Sequence, residues 1–298
     1  MDISTSLCGV KLKNPIVLAS GILGTNAAIL ERVAISGAGA VTLKSIGPVE
    51  RQANNNPSVL AWEHGLINAV GLPSSGYKHY NWEGYDKLSC PLIVSIYGST
   101  VEEYVEVAKA LSSKGKILEI NISCPNKHDG MSFCLNIDAA TEVVKSVKKV
   151  VHVPVFVKLS PNVPNIGLLA AEVERAGADG ITAVNTLGPG MIIDIEAKRP
   201  ILAYKTGGLS GPGIKPIAIK CVYDIYKAVK VPIIGTGGIT TGRDAIEMLM
   251  AGATAVGVGS AVYYHGMDVF KKMADEMQEW MKMNKYKSLK ELIGAAHE

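Results

Sequence analysis

Eight short apolar runs, each bounded by glycine or proline, recur along the 298-residue chain and limit what it can fold into. They span residues 16–19, 40–43, 91–96, 117–122, 154–159, 180–184, 232–234 and 255–258. Each is nearly continuous in Val, Ile, Leu and Ala. A strand with one wet face alternates polar and apolar residues, whereas a strand covered on both faces, as in a parallel sheet under helices, does not. Helical patterns fill the gaps. Thr100 and Glu103 have the spacing of a capping box opening a helix over 101–111, and Thr241 with Asp244 opens another through Met250. Near the end, Val269, Phe270, Met273, Met277, Trp280 and Met281 share one helical face, which reads as core packing. Gly37, Gly177 and Gly252 each fall where a helix would stop before a strand, a place suited to the left-handed conformation.

Regular alternation of eight strands and helices predicts an α/β fold, a TIM (β/α)8 barrel, for which about 250 residues is typical. The surplus falls in two extended loops, after strands two and six, at 46–77 and 187–214. No low-complexity linker divides the chain, so residues 1–298 read as one domain. An open doubly wound sheet is the alternative, but no G-x-G-x-x-G follows an early strand. Composition excludes other classes. Hydrophobic residues make 48% and charged residues 19%, which rules out disorder as the main state. A net charge of +3 with no basic run gives no footprint for nucleic acid. The apolar stretch 15–23 begins with Pro and contains Ser20 and Gly21, so it reads as a buried strand rather than a signal peptide. No run is long enough to span a bilayer. The five cysteines are odd in number, widely spaced and free of CxxC, which argues against a disulfide framework or a metal site and for a reducing, cytoplasmic setting.

Chemistry in such barrels collects at the carboxyl ends of the strands. Those ends carry Ser20-Gly21, Lys44-Ser45, Asn121 through Cys124, Lys158, Asn185-Thr186, Gly237-Gly238 and Gly259-Ser260. Two lysines and two asparagines directly after buried strands exceed what structure alone requires. The paired glycine loops after the last two strands offer bare backbone N–H groups where barrels often bind phosphate, or else are simple tight turns. Cys124 lies in Asn-Ile-Ser-Cys-Pro-Asn, just past strand four. A free cysteine is usually a small buried hydrophobe, but this one has polar neighbours at a barrel mouth and an ordinary pKa of about 8.5, which suits a proton acceptor. Cys134 reads as a structural neighbour or bystander. The histidines form no cluster, and His128 alone lies close enough to Cys124 to tune it.

Residues 121–126, Leu43-Lys44-Ser45, 65–73 (GLINAVGLP), Gly208-Leu209-Ser210-Gly211, 235–239 and Val258-Gly259-Ser260 together resemble the dihydroorotate dehydrogenase family, in order and over nearly the whole chain. The resemblance implies an FMN-bearing barrel that oxidises dihydroorotate to orotate in pyrimidine synthesis. It implies that Cys124 takes the C5 proton while FMN takes the C6 hydride. It assigns substrate binding to Lys44, Asn68, Asn121, Asn126, Asn185, Thr186 and the backbone of Val70, Gly71 and Leu72. It assigns the flavin to Ala19, Ser20, Gly21, Lys44, Ser45, Asn121, Lys158 and Gly211, with Gly237, Gly238, Gly259 and Ser260 at its phosphate. A cysteine base and a start almost at the first strand are similar to class 1 rather than to class 2, whose members use serine and carry an N-terminal membrane-associated extension. The loops at 65–69 and 124–133 most resemble the NAD-linked class 1B catalytic subunit. That implies a homodimer core and a partner subunit carrying FAD and an iron–sulfur cluster, for which this chain has no motif. Ser74-Ser75-Gly76, where many relatives have Asn-Pro-Gly, and Cys134 depart from the family pattern.

Three readings compete with it. One is the fumarate-linked class 1A enzyme. Another is a dihydropyrimidine dehydrogenase-like flavoenzyme, which usually has His where this chain has Asn126. The third is a non-redox aldolase or isomerase on a phosphorylated substrate, with Lys158 forming a Schiff base.

Overall fold

The computed structural model describes residues 2–123 and 132–297, so Cys124, Asn126 and His128 lie outside the described residues. The predicted runs become eight strands with ends moved by a residue or two: β1 (Ile16–Leu18), β2 (Ala40–Thr42), β3 (Leu92–Ile96), β4 (Ile117–Asn121), β5 (Val155–Leu159), β6 (Gly180–Ala183), β7 (Ile233–Thr236) and β8 (Ala255–Val258). They close in chain order into one parallel barrel, with β8 returning to β1 through Val256↔Ile16 and Val258↔Leu18. Closure decides against the open sheet. It leaves no exposed strand edge, and it explains why the strands read as continuous apolar runs.

The helices α1 (Ala27–Ile35), α2 (Val101–Leu111), α3 (Ile137–Lys148), α4 (Ile166–Arg175), α5 (Lys215–Ala228), α6 (Gly242–Met250), α7 (Ala261–His265) and α8 (Val269–Met283) surround it. Their apolar stripes bury Val33, Tyr104, Val107, Val143, Leu169, Val222 and Leu249 against the strands. The Met273, Met277 and Met281 stripe of α8 is core, as expected. The predicted caps are present at α2 and α6. Thr100 accepts from the Glu103 N–H, while the Glu103 carboxylate reaches the Ser99 N–H, one residue before the cap. At α6 the Thr241–Asp244 box is reciprocal. Gly37, Gly177 and Gly252 take positive φ after their helices.

Three features differ from the sequence expectation. The second unit has no α-helix; single 3-10 turns at Tyr77–His79 and Tyr85–Lys87 take its place. Its chain is spent instead on the barrel mouth. There the two long loops are not separate excursions. Leu187–Gly190, Gly207–Ser210, Gly65–Asn68 and Val59–Trp62 form one four-stranded antiparallel sheet, in which Gly208 pairs with Asn68 and Ser210 with Leu66. An additional hairpin, Thr5–Leu7 with Val10–Leu12, plugs the opposite end. Its Leu7 and Leu12 pack with Val17, Ala40, Ile93, Ile117, Phe156 and Ile234 inside the barrel. Three-residue strands are too short to announce themselves by periodicity. Among the described residues no helix is long and apolar enough to cross a membrane, and no cluster of metal-ligating side chains occurs.

Candidate active site

A cavity of about 360 Å³ opens at the carboxyl end of the barrel beneath the four-stranded sheet. Every sequence candidate among the described residues lines it. Ala19, Ser20 and Gly21 follow β1, Lys44 and Ser45 follow β2, Asn121 ends β4, and Lys158 belongs to β5. Asn185 and Thr186 follow β6, Gly237 and Gly238 follow β7, and Gly259 and Ser260 follow β8. The overlying sheet and its flanks contribute Asn68, Val70, Gly71, Leu72 and Gly211. A second cavity of about 460 Å³ adjoins it and shares Asn68, Gly71, Leu72, Asn121, Asn185 and Thr186. Its own walls include Arg51, Ser123, Asn162 and Cys134. The asparagines therefore stand between two chambers.

The amides of that wall are oriented by neighbours. Asn121 Oδ1 accepts from the Ser123 N–H at 3.2 Å and from Asn185 Nδ2 at 3.3 Å, while Asn185 Oδ1 accepts from the Thr186 N–H at 2.8 Å. With its oxygen occupied, Asn121 keeps its NH2 as a donor. Asn68 Nδ2 donates to the Gly208 carbonyl at 3.3 Å, leaving its amide oxygen as an acceptor.

Lys158 is the most telling side chain. Register places it beside Asn121 of β4 and Thr182 of β6, and it is only 7% exposed. It has no hydrogen bond or ion pair with any described residue. An unpaired buried charge costs several kcal/mol, so a lysine held this way fits a site completed by an electron-rich or anionic ligand. The glycine loops point to the same ligand class. Gly237 and Gly238 take φ of 129° and 75°, and a Cβ on Gly238 would fall 2.7 Å from Lys215 Cα. Their N–H groups, with that of Gly259, bond to no described backbone carbonyl. Thr236 Oγ1, in the same wall, is buried without a partner among the described residues.

Sequence reasoning missed Thr236, Arg51 and a polar chain under the floor made by Ser95, Glu119 and Thr182. The signal for the last was a single carboxylate inside the apolar run Ile117–Asn121. Cys134 is buried, and burial pushes its thiol above the ordinary range. His64, His79, His152 and His265 are exposed, while His297 stacks on Tyr223 and bonds the Ala251 carbonyl.

Comparison with known proteins gives this geometry its context. The family model described as dihydroorotate dehydrogenase matches residues 2–281. The chain belongs to the dihydroorotate dehydrogenase family. It is 48% identical to the protein of Methanocaldococcus jannaschii named dihydroorotate dehydrogenase B (NAD(+)), catalytic subunit, over 99% of this chain and 98% of that one. It is 45% identical to the Pyrococcus abyssi protein of the same name, over 99% of each chain. For the Methanothermobacter thermautotrophicus protein of that name the identity is 41%, again over 99% of each. Dihydroorotate dehydrogenases are TIM barrels, as this chain is, and the likeness spans the barrel and the sheet above it. The cavity also fits the family's flavin. Among the described residues it offers an unpaired buried cation, unbonded glycine N–H groups for a phosphate, and an unsatisfied threonine hydroxyl.

Proposed function

We propose that this chain oxidises dihydroorotate to orotate in pyrimidine synthesis, with FMN as its resident cofactor and NAD as the final acceptor reached through a second subunit. The carrying observation is Lys158, a buried cation with no partner among the described residues, in a cavity rimmed by glycine loops. When bound, FMN supplies the acceptor for the hydride leaving C6 of the substrate. Lys158 would set a fixed positive charge beside the pyrimidine end of the flavin. Gly237, Gly238, Gly259 and Ser260 would hold the phosphate, while Ala19, Ser20, Gly21, Ser45 and Gly211 line the ring.

The asparagine wall suits a substrate ring with amide edges. Asn121 donates from its NH2, Asn68 accepts at its oxygen, and Asn126, Asn185, Thr186 and the backbone of Val70, Gly71 and Leu72 complete the set. Lys44 supplies the counter-charge and touches both substrate and flavin. Cys124 takes the C5 proton from the face opposite the flavin. Base and hydride acceptor then act on neighbouring carbons without exchanging places.

In this reading the chain works as one cytoplasmic catalytic domain in a homodimer, and FAD and an iron–sulfur cluster reside on the partner subunit. The names of the relatives support that division, since each is called a catalytic subunit linked to NAD(+). The test is anaerobic addition of dihydroorotate to the purified flavin-loaded protein, followed by its visible absorbance. Fast bleaching is expected, with NAD reduced only when the partner subunit is added. A flavin-loaded protein that dihydroorotate leaves yellow would overturn the substrate. Turnover with fumarate and no partner would overturn the acceptor.

A further inference from the structure

Glu119 has no part in the chemistry above, yet it is a carboxylate only 2% exposed inside the barrel. It lies two residues before Asn121 on the same face of β4. Its Oε1 accepts from Ser95 Oγ of β3 at 3.0 Å, and its Oε2 accepts from Thr182 Oγ1 of β6 at 2.9 Å. Ser95 Oγ is 2.9 Å from Ser45 Oγ, and Ser45 lines the cavity beside Ser20. Ser20 Oγ donates to the Leu43 carbonyl at 2.6 Å and stands 3.3 Å from Ser45 Oγ.

Proton counting gives this chain a direction. A hydroxyl has one proton to donate, and both Glu119 oxygens are already acceptors, of Ser95 and of Thr182. Ser95 therefore spends its proton on Glu119, and Ser45 spends its own on Ser95. Ser20 has spent its proton on Leu43. Both hydroxyls at the cavity wall are left with lone pairs alone.

We propose that Glu119 is a positioning residue for the cofactor. Through Ser95 it holds Ser45 as a hydrogen-bond acceptor, so that the wall at Ser20 and Ser45 reads an N–H on the edge of the bound ring. The inference rests on the flavin reading of the cavity. An oxidised flavin ring carries one N–H, the imide between its two carbonyls, and that is the group this wall matches. The oxygen of Asn121, a competing acceptor in the same cavity, is already taken by Ser123 and Asn185.

Glu119→Gln reverses the direction. If the new amide NH2 faced Thr182, that buried hydroxyl would lose its acceptor. Facing Ser95, it passes a proton down the chain so that Ser45 presents O–H to the cavity, where a donor then meets a donor. The test titrates apoprotein with FMN and with N3-methyl-FMN, following the quenching of flavin fluorescence. Wild type is expected to prefer FMN by roughly tenfold or more, the worth of one buried hydrogen bond. In Ser45→Ala and Glu119→Gln the preference is expected to shrink to within about threefold, mainly through weaker FMN binding. Glu119→Asp, which keeps an acceptor on a shorter stem, should restore part of it. Should Glu119→Gln fail to fold, Ser95→Ala carries the same prediction, because it removes the acceptor that holds Ser45. A wild type that binds both flavins equally, or variants that keep the full preference, would overturn the proposal. Wild-type apoprotein that binds no FMN would instead overturn the flavin reading itself.

Discussion

At the scale of single residues, the site stores free energy that folding alone would not spend. Lys158 is buried without a hydrogen-bond or ion-pair partner among the described residues, so Lys158→Met should stabilise the apoprotein by about 1–4 kcal/mol while weakening FMN binding. Thermal melts of the apoprotein beside a flavin titration check both halves; a destabilised apoprotein with unchanged affinity would mean that Lys158 serves the fold. For Cys124 the expectation is different in kind. Cys124→Ala should keep FMN yet slow its reduction by dihydroorotate about 10²–10⁴-fold, the usual worth of a general base. Cys124→Ser should keep partial activity with a pH profile moved upward, because an alcohol is a weaker acid than a thiol. Near-normal flavin reduction in the alanine variant removes the base assignment. The lysines and asparagines of the cavity wall were legible because polar side chains directly after apolar runs have few structural excuses. Glu119 and Ser95 were not, since a polar residue in mid-strand reads as noise until the barrel shows what it faces.

At the scale of elements, the glycine loop after β7 depends on two helix starts. Gly238 sits against the backbone of Lys215, the first residue of α5. Lys215 Nζ in turn bonds Asp244 and Glu247 of α6, both at 2.8 Å. Burial opposes ionisation of Asp244, but hydrogen bonds from Lys215, Thr240 and Thr241 outweigh it and hold its carboxyl below the usual range. A depressed pKa contributes stability above the unfolded value and loses it as pH falls through the folded one. Asp244→Asn should therefore cost about 1–2 kcal/mol at pH 7, and the gap to wild type should close as pH drops below about 4. Urea melts at both pH values decide it; a gap independent of pH would leave the cap and not the charge as the cause. Gly238→Ala should be worse, because the Cβ meets backbone and φ is 75°. The strands and the α2 and α6 caps were readable because burial on two faces and capping chemistry are local. The sheet over the mouth was not, since Gly208 and Asn68 are distant in sequence and only register unites them.

At the scale of the whole molecule, the amino-terminal hairpin is a plug. Deleting residues 2–12 would strip Leu7 and Leu12 from the barrel interior, a loss of about 3–6 kcal/mol at the usual worth of a buried aliphatic side chain. A truncated chain that melts like the full one would show the plug to be decorative. The barrel closes only where β8 meets β1, so its first and last strands are made at opposite ends of synthesis. Translation at about 5–20 residues per second leaves roughly ten to fifty seconds between the two. Lys44, Asn121 and Lys158 thus leave the ribosome well before Gly259 and Ser260 exist to complete the pocket. On the flavin reading, cofactor loading is consequently a late event in the life of each chain, and a cell short of flavin would accumulate finished barrels rather than stalled nascent ones.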